Sequence, residues 1–224
     1  MTLNAQAWTA LVVLALAMAL VLFVPAGSVR YWQAWIYLAV FLAASGLTTL
    51  DLMTRDPALL ERRMRGGPTA ERERTQQIVM LFASLSFVAL LVVPALDYRY
   101  GWTTVPVFLV VIGNVLVAVG FYLIVLVYRE NTFTAATIQV TAGQTVVSTG
   151  PYAVVRHPMY ASAFVYLIGT PLALGSYAGF IPLAVMMVCI VVRLLDEERL
   201  LSRDLPGYDE YRSRVRYRLL PNVW

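Results

Sequence analysis

The stretch that decides the fold runs from Gln144 to Glu198 and reads QTVVSTGPYAVVRHPMYASAFVYLIGTPLALGSYAGFIPLAVMMVCIVVRLLDEE. It begins with a polar segment whose Gly and Pro residues predict an irregular or extended loop. Two apolar runs follow, Tyr160–Leu174 and Tyr177–Leu195, separated only by Gly175-Ser176. They are predicted to form a tight helical hairpin, whose second helix leaves the membrane at Arg193.

The rest of the chain is too apolar for a soluble domain. Of its 224 residues, 60% are hydrophobic and 13% are charged, against roughly 45–50% and about 25% in soluble proteins. Four upstream runs reach the length of about 18 residues that crosses a bilayer: Ala7–Val24, Trp32–Leu50, Ile78–Leu96 and Val105–Tyr128. With the hairpin, the sequence predicts an all-α integral membrane protein of about six transmembrane helices. The leader before the first run has no basic residue, so this run is predicted to be a retained helix rather than a signal peptide.

The distribution of basic residues predicts the orientation. All 17 are arginines, and only Arg30 and Arg99 lie in the first and third connections. The positive-inside rule therefore places both termini and the two long loops in the cytoplasm. A prokaryotic inner membrane and an endoplasmic reticulum membrane fit equally well. The excess of positive charge is attributed to the bilayer as a partner, and no nucleic acid is predicted.

The chain is predicted to form one membrane domain over residues 1–224, with four helices in 1–128 and a loop, hairpin and C-terminal segment in 129–224. The longest polar pieces have about thirty residues, fewer than the roughly 50 that a separate domain needs. Asp56-Pro57 predicts the start of a short surface helix, which is either a connector or a flap that meets substrate. After a break at Pro206-Gly207, an amphipathic helix is predicted over Tyr208–Tyr217, against the membrane or against the loop.

Charged and polar groups gather at the ends of the hairpin. Arg193 and Glu197 are one turn apart and share a helix face. They are either a pair that snorkels to the interface or part of a site. The acidic run 196–198 opposes the helix dipole and needs a cation to compensate it. His157 precedes Pro158 and is either a helix cap or a site residue. Cys189 is interpreted as a small buried hydrophobe, and no metal site is predicted.

Several of these motifs together carry a family resemblance. They are Gly150-Pro151-Tyr152, Arg156-His157-Pro158-Met159-Tyr160, Arg193 with Glu197-Glu198, and the spaced series Tyr208, Tyr211 and Pro221. Over Asn131–Pro221 this pattern resembles the isoprenylcysteine carboxyl methyltransferase family, and related membrane phospholipid methyltransferases share much of it. The resemblance implies an enzyme that uses S-adenosyl-L-methionine without a Rossmann domain, in a pocket facing the cytoplasm.

The resemblance also implies which residues form the site. The positions that match the family's cofactor contacts are Gln139, Gln144, Thr145, Val146, Val147, Tyr152, His157, Pro158, Met159, Tyr160 and Glu197. Arg193 matches the position that contacts substrate, and it is expected to hold a substrate carboxylate by a forked contact.

The expected reaction is methyl transfer to a lipidic or isoprenoid-bearing acceptor at a carboxylate. A carboxylate is already ionised near neutral pH and needs only positioning. Two alternatives stay open: N-methylation of a phospholipid amine, with His157 or a phosphate as the proton acceptor, and an NADPH-dependent membrane reductase of related architecture. A transporter is disfavoured because the polar groups gather at one face rather than at mid-membrane depth. The identity of the acceptor and the oligomeric state are not predicted.

Overall fold

The computed structural model describes residues 2–64, 66, 71, 73–134, 137 and 143–224. Within these ranges the chain is helical, as the sequence predicts, and it contains eight α-helices and one short 3-10 helix. The α-helices are α1 Leu3–Ala26, α2 Trp32–Arg55, α3 Pro57–Met64, α4 Arg74–Tyr100, α5 Val107–Glu130, α6 Pro158–Ala173, α7 Phe180–Asp204 and α8 Tyr208–Arg214, and the 3-10 helix is Gly150–Ala153.

Four of the described helices, α1, α2, α4 and α5, are long and apolar enough to cross a membrane. They coincide with the four upstream runs, so the chain is an integral multi-pass membrane protein. The predicted count of six spans is not confirmed. Helix α6 has 16 residues, which is about 24 Å at 1.5 Å per residue. Helix α7 is longer, but its second half carries Arg193, Asp196 and Glu197.

The turn of the hairpin lies beside the α4–α5 connection. The Ser176 hydroxyl donates to the Asp97 carboxylate, and the Tyr177 N–H donates to Thr103 Oγ1 at 3.1 Å. Asp97 is 1% exposed, so these bonds fix a buried carboxylate at this end of the bundle. The hairpin therefore runs from the loop 143–157 to the end at which α4 and α5 are joined.

Helices α5 and α6 form the most extensive contact between described elements, because glycines let their backbones meet. A Cβ atom on Gly113 would lie 2.3 Å from the backbone nitrogen of Ala173, and one on Gly120 would lie 2.6 Å from Tyr166 Cβ. Small residues at such crossings allow close packing of membrane helices. This contact holds α6 along α5, and it sets the position of the loop that precedes α6.

The predicted surface helix is present as α3. Asp56 caps it, with its Oδ1 accepting from the Leu59 N–H at 2.8 Å, and Pro57 is its first residue. Leu59 and Leu60 are buried against Ile124 and Tyr128. The helix ends at Met64, before the predicted stop at Gly66-Gly67-Pro68, of which Gly67 and Pro68 lie outside the described residues. Helix α3 is therefore docked on the bundle near the C-terminal end of α5.

The prediction of a C-terminal helix as far as Tyr217 is wrong, because α8 ends at Arg214. The Arg156 N–H donates to the Tyr217 carbonyl at 2.9 Å, and the His157 N–H donates to the Arg218 carbonyl at 3.0 Å. The chain beyond α8 is thus bonded to the segment that precedes α6. Of the two predicted positions for this segment, the one against the loop is correct.

Candidate cofactor and substrate cavity

A cavity of about 390 Å³ lies where the C-terminal ends of α5 and α7 meet the start of α6, the loop and α8. Its volume falls in the range of about 300–1,000 Å³ that is usual for small-molecule sites. One half is polar and the other is apolar. The polar half includes Asn131, Gln144, Thr145, Tyr152, His157 and Glu197, and the apolar half includes Val79, Met80, Ala83, Leu167, Met186 and Ile190.

The residues that the sequence singled out meet around this cavity. Its lining includes Gln144, Thr145, Val146, Val147, Tyr152, His157, Pro158, Met159, Tyr160, Arg193 and Glu197. Gln139, the remaining candidate, lies outside the described residues. The structure shows that these residues line one cavity. Their contact with a cofactor stays a prediction.

Tyr160 and Glu197 join α6 to α7 at the wall of the cavity. Tyr160 is the third residue of α6, and its hydroxyl donates to Glu197 Oε2 at 2.7 Å. Pro158 begins this helix at a position where a missing N–H costs nothing. The bond orients the Glu197 carboxylate with a neutral donor, so its negative charge acts on whatever occupies the cavity.

Glu198, the next residue, has a different environment. Its Oε1 accepts from Arg156 Nε at 2.7 Å and lies 3.2 Å from His157 Nε2, while its Oε2 accepts from Arg218 Nε at 2.9 Å. Burial raises the pKa of this carboxyl, but the hydrogen bonds from His157, Arg156 and Arg218 outweigh burial and lower the pKa to about 2. Glu198 therefore stays ionised and ties α7 to the loop and the C-terminal segment. The cation that the acidic run needs is thus supplied here by the chain.

His157 precedes α6 but does not cap it with its side chain. Its ring is buried, with Nε2 directed at Glu198, and it also lines the cavity. Which ring nitrogen carries the proton follows from this contact. Since a carboxylate accepts a hydrogen bond, Nε2 is the ring nitrogen that donates to Glu198.

Tyr152 is held in place by hydrogen bonds from Tyr211 and Asn131. The Tyr211 hydroxyl donates to the Tyr152 carbonyl oxygen at 2.8 Å, and Asn131 Nδ2 donates to the Tyr152 hydroxyl at 3.0 Å. Burial raises the pKa of Tyr152, although the bond from Asn131 lowers it in part, so the phenol is neutral at physiological pH. Gly150 turns the chain into the 3-10 helix with φ of 53°, a conformation that favours glycine.

Tyr208 contributes a buried hydroxyl to the cavity wall. The residue is 3% exposed, and within the described ranges its hydroxyl has no hydrogen-bond partner. A buried polar group without a partner costs about 1–3 kcal/mol. A ligand with a polar group would offset that cost, so this atom fits a polar occupant.

Arg193 lies in the wall formed by α4 and α7. Its Nη2 is 2.7 Å from Glu71 Oε1, and its Nη1 donates to Gln76 Oε1 at 3.2 Å. The side-chain amide of Gln76 in turn donates to Asp196 Oδ2 at 2.6 Å. Arg193 was expected to hold a substrate carboxylate. The carboxylate that it contacts here belongs to the chain itself.

Sequence reasoning assigned no role to several residues of this site. Arg156, Glu198, Tyr208 and Tyr211 lie in the quoted motifs, so the motifs were the available signal. Glu71 and Gln76 precede the apolar run of α4 by a few residues and look like ordinary interfacial residues. Their proximity to Arg193 is a tertiary contact between positions about 120 residues apart, which no local pattern indicates.

The apolar half of the cavity lies between α4 and the hairpin. Cys189 belongs to this lining and is partly exposed, so its interpretation as a buried core residue is wrong. A continuous polar and apolar lining suits a ligand that has a polar head and a hydrocarbon chain. Fold and cavity together define a helical membrane protein with a cavity of polar and apolar lining at the ends of its helices.

Comparison with known families adds the chemistry. Residues 108–205, from the start of α5 to the end of α7, match the family model of phospholipid methyltransferase. The match covers less than half of the chain, and over that segment the protein is similar to the phospholipid methyltransferases. The matched family is the one that the sequence resemblance named second. Most of the cavity lining lies within the matched segment.

A curated relative matches a shorter stretch. The nickel-cobalt-cadmium resistance protein NccN of Alcaligenes xylosoxydans xylosoxydans is 38% identical over 76 residues, which are 31% of this chain and 33% of that protein. The match thus spans about a third of the length of this relative. Among the described residues, no group of three or more His, Cys, Asp or Glu side chains could hold a metal ion.

Proposed function

We propose that this protein is an S-adenosyl-L-methionine-dependent methyltransferase that methylates the amine of a phospholipid headgroup. The observation that carries the proposal is the two-sided cavity, in which the Tyr160–Glu197 pair faces the same space as the apolar surface of α4 and α7. The matched family supports methyl transfer, and its name favours a phospholipid acceptor.

The residues of the polar half fit the cofactor. S-adenosylmethionine bears a sulfonium and an ammonium group, and it supplies the methyl group from the sulfonium sulfur. The Glu197 carboxylate is suited to the ammonium group or the ribose hydroxyls, and the Tyr208 hydroxyl can bond a further polar group. Main-chain groups of the loop at residues 144–147 are suited to the adenine edge.

The protein's task in this reaction is positioning and exclusion of water. The apolar half would hold the acyl chains and bring the headgroup to the polar half. An ammonium headgroup has to lose a proton before it can attack. His157 is the candidate acceptor, since Glu198 orients its ring from Nε2 and Nδ1 carries the free electron pair.

A carboxylate acceptor is the second candidate, because Arg193 lines the cavity and arginine suits a carboxylate. This acceptor would need no base. A nicotinamide-dependent reduction is the third reading, and it predicts a different cofactor.

The test is calorimetry on the purified protein in detergent, with S-adenosylhomocysteine and NADPH offered separately. Saturable binding of S-adenosylhomocysteine is expected, weakened at least tenfold in Glu197→Ala and in Tyr160→Ala. Glu210→Ala, which removes an exposed carboxylate on α8, is the control and should bind as the wild type does. Binding of NADPH alone would contradict the proposal and indicate a reductase.

The acceptor is then tested by methyl transfer from labelled cofactor. Phosphatidylethanolamine and N-acetyl-S-farnesylcysteine are offered in turn, and the label is expected in the phospholipid. Label in the farnesylcysteine alone would favour the carboxylate reading.

A further inference from the structure

We infer that Glu71 is a specificity-determining residue, which occupies the carboxylate-binding side of Arg193 and thereby excludes acceptors that present a carboxylate. The inference rests on the proposed methyltransferase function and concerns the choice between its two acceptor classes. It is carried by the ion pair between Arg193 and Glu71, of which Glu71 lies outside the segment matched by the family model.

The pair is buried and close. Glu71 is 4% exposed and Arg193 is 9% exposed, and the shortest distance between their charged atoms is 2.7 Å. In a buried pair the two charges compensate each other, and separating them leaves an uncompensated charge away from water. Displacement of Glu71 by a substrate carboxylate would expose the protein to that cost.

The orientation of Arg193 is also fixed from its other side. Nη1 donates to the amide oxygen of Gln76, and the amide nitrogen of Gln76 donates to Asp196. Arg193 is thus held by Gln76 of α4 and by Glu71, which lies before the start of α4. Turning Arg193 towards a substrate would break both contacts. In this arrangement Arg193 acts as part of the wall.

The remaining charges of the α4–α7 wall favour a cation. Glu197 accepts from the neutral Tyr160 hydroxyl, whereas Arg193 is compensated by Glu71. Like charges brought together in a site of low dielectric repel strongly. Glu71 and Glu197 together carry one more negative charge than Arg193, so a carboxylate brought beside Glu197 in the cavity would be repelled, whereas an ammonium group would be attracted. Another arginine of the lining, Arg63, belongs to the α3–α5 wall, where it lies over the Tyr128 ring.

The experiment compares a carboxylate with its uncharged ester on the same lipid. N-acetyl-S-farnesylcysteine and its methyl ester are titrated by calorimetry into the detergent-purified protein saturated with S-adenosylhomocysteine. The wild type is expected to bind the acid at least tenfold more weakly than the ester. Glu71→Gln is expected to strengthen binding of the acid at least tenfold and to leave binding of the ester within twofold.

Two controls isolate the contact. Glu73→Gln removes an exposed carboxylate two residues away and should leave the affinity for the acid at the wild-type value. The double variant Glu71→Gln/Arg193→Gln has no charge at either position, and it should lose the gain in affinity for the acid. A thermal unfolding midpoint in detergent close to that of the wild type establishes that each variant is folded.

The outcomes separate this inference from the proposed function. Equal binding of acid and ester by the wild type, or no gain for the acid in folded Glu71→Gln, would overturn the role of Glu71. If Glu71→Gln does not fold, the comparison of acid with ester in the wild type decides. Failure of the wild type to bind S-adenosylhomocysteine would instead overturn the proposed methyltransferase, whatever the acid and ester do.

Discussion

The adjacent carboxylates of Glu197 and Glu198 on α7 have different partners and different roles. Glu198 has charged donors from two other segments, while Glu197 has a neutral one and faces the cavity. The helix rotates by about 100° from one residue to the next, and this rotation separates an ion-pair position from a ligand position. Side-chain chemistry is the same at both, so the roles follow from the direction in which each points.

Glu198 makes stability depend on acid pH. Its pKa is lowered from the usual 4.5 to about 2, so its ionised form stabilises the fold fully above pH 4.5. This contribution is lost as pH falls through that range towards 2. We expect the thermal unfolding midpoint of the wild type in detergent to fall between pH 5 and pH 3 more steeply than that of Glu198→Gln.

Glu198→Gln should also be the less stable protein at pH 7, because it leaves Arg156 buried without its anion. The exposed Glu210→Gln is the matched control and should retain the wild-type dependence on pH. Parallel curves for the wild type and Glu198→Gln would contradict this account of the Glu198 cluster.

At the scale of elements, the α5–α6 contact determines where the site can form. Its glycines bring the backbones together, and α6 then delivers His157 and Tyr160 to the end of α5. The hydrophobic pattern predicted both helices but not the distance between them. That distance depends on which face of each helix carries the small residues.

Gly120→Ala is expected to destabilise the protein by about 1–3 kcal/mol, the usual cost of overpacking. The added Cβ would meet Tyr166 at 2.6 Å, and the backbone would have to move. Gly46→Ala is the matched control, because its Cβ would meet nothing closer than 3.7 Å. Unfolding by titration with denaturing detergent measures both, and equal stability of the two variants would contradict close packing at Gly120.

A substitution in the apolar half of the cavity should impair binding of the lipid acceptor without changing binding of the cofactor. Ala163 of α6 lines the cavity, and Ala163→Phe is expected to fill space needed by a hydrocarbon chain. We predict a KM for a lipid acceptor raised at least tenfold, with the affinity for S-adenosylhomocysteine within twofold of wild type. Ile168→Phe, at an exposed position on the same helix, should change neither. Loss of cofactor affinity in Ala163→Phe alone would mean that the apolar half belongs to the cofactor.

For the whole molecule, the number of membrane crossings is the property that length and composition leave undecided. Helices α6 and α7 are not among the helices whose length and composition suit a membrane span. However, Tyr177 at the turn between them is hydrogen-bonded to the α4–α5 connection. The arginine distribution predicts that this connection lies outside the cytoplasm. We therefore predict that the hairpin crosses the membrane and that its turn faces outward.

The measurement is labelling of Tyr177→Cys in a Cys189→Ser background with a membrane-impermeant maleimide on intact cells. Tyr177 is exposed, and labelling before lysis is expected. A cysteine at the exposed Glu210 of α8, in the same background, should label only after lysis. Labelling of Tyr177→Cys only after lysis would mean that the hairpin does not cross.

The sequence by itself determined the membrane class, four of the helices, the short helix after Asp56 and part of the polar lining of the cavity. Those properties follow from local hydrophobicity, from helix-capping residues and from motifs that are contiguous in the chain. The tertiary structure alone decided what each charged group faces. Arg193 is compensated by Glu71, Glu198 by Arg156 and Arg218, and Glu197 is directed to the cavity. Electrostatic interactions depend on distance in space, and for Arg193 and Glu71 that distance is set by the packing of α7 against the start of α4.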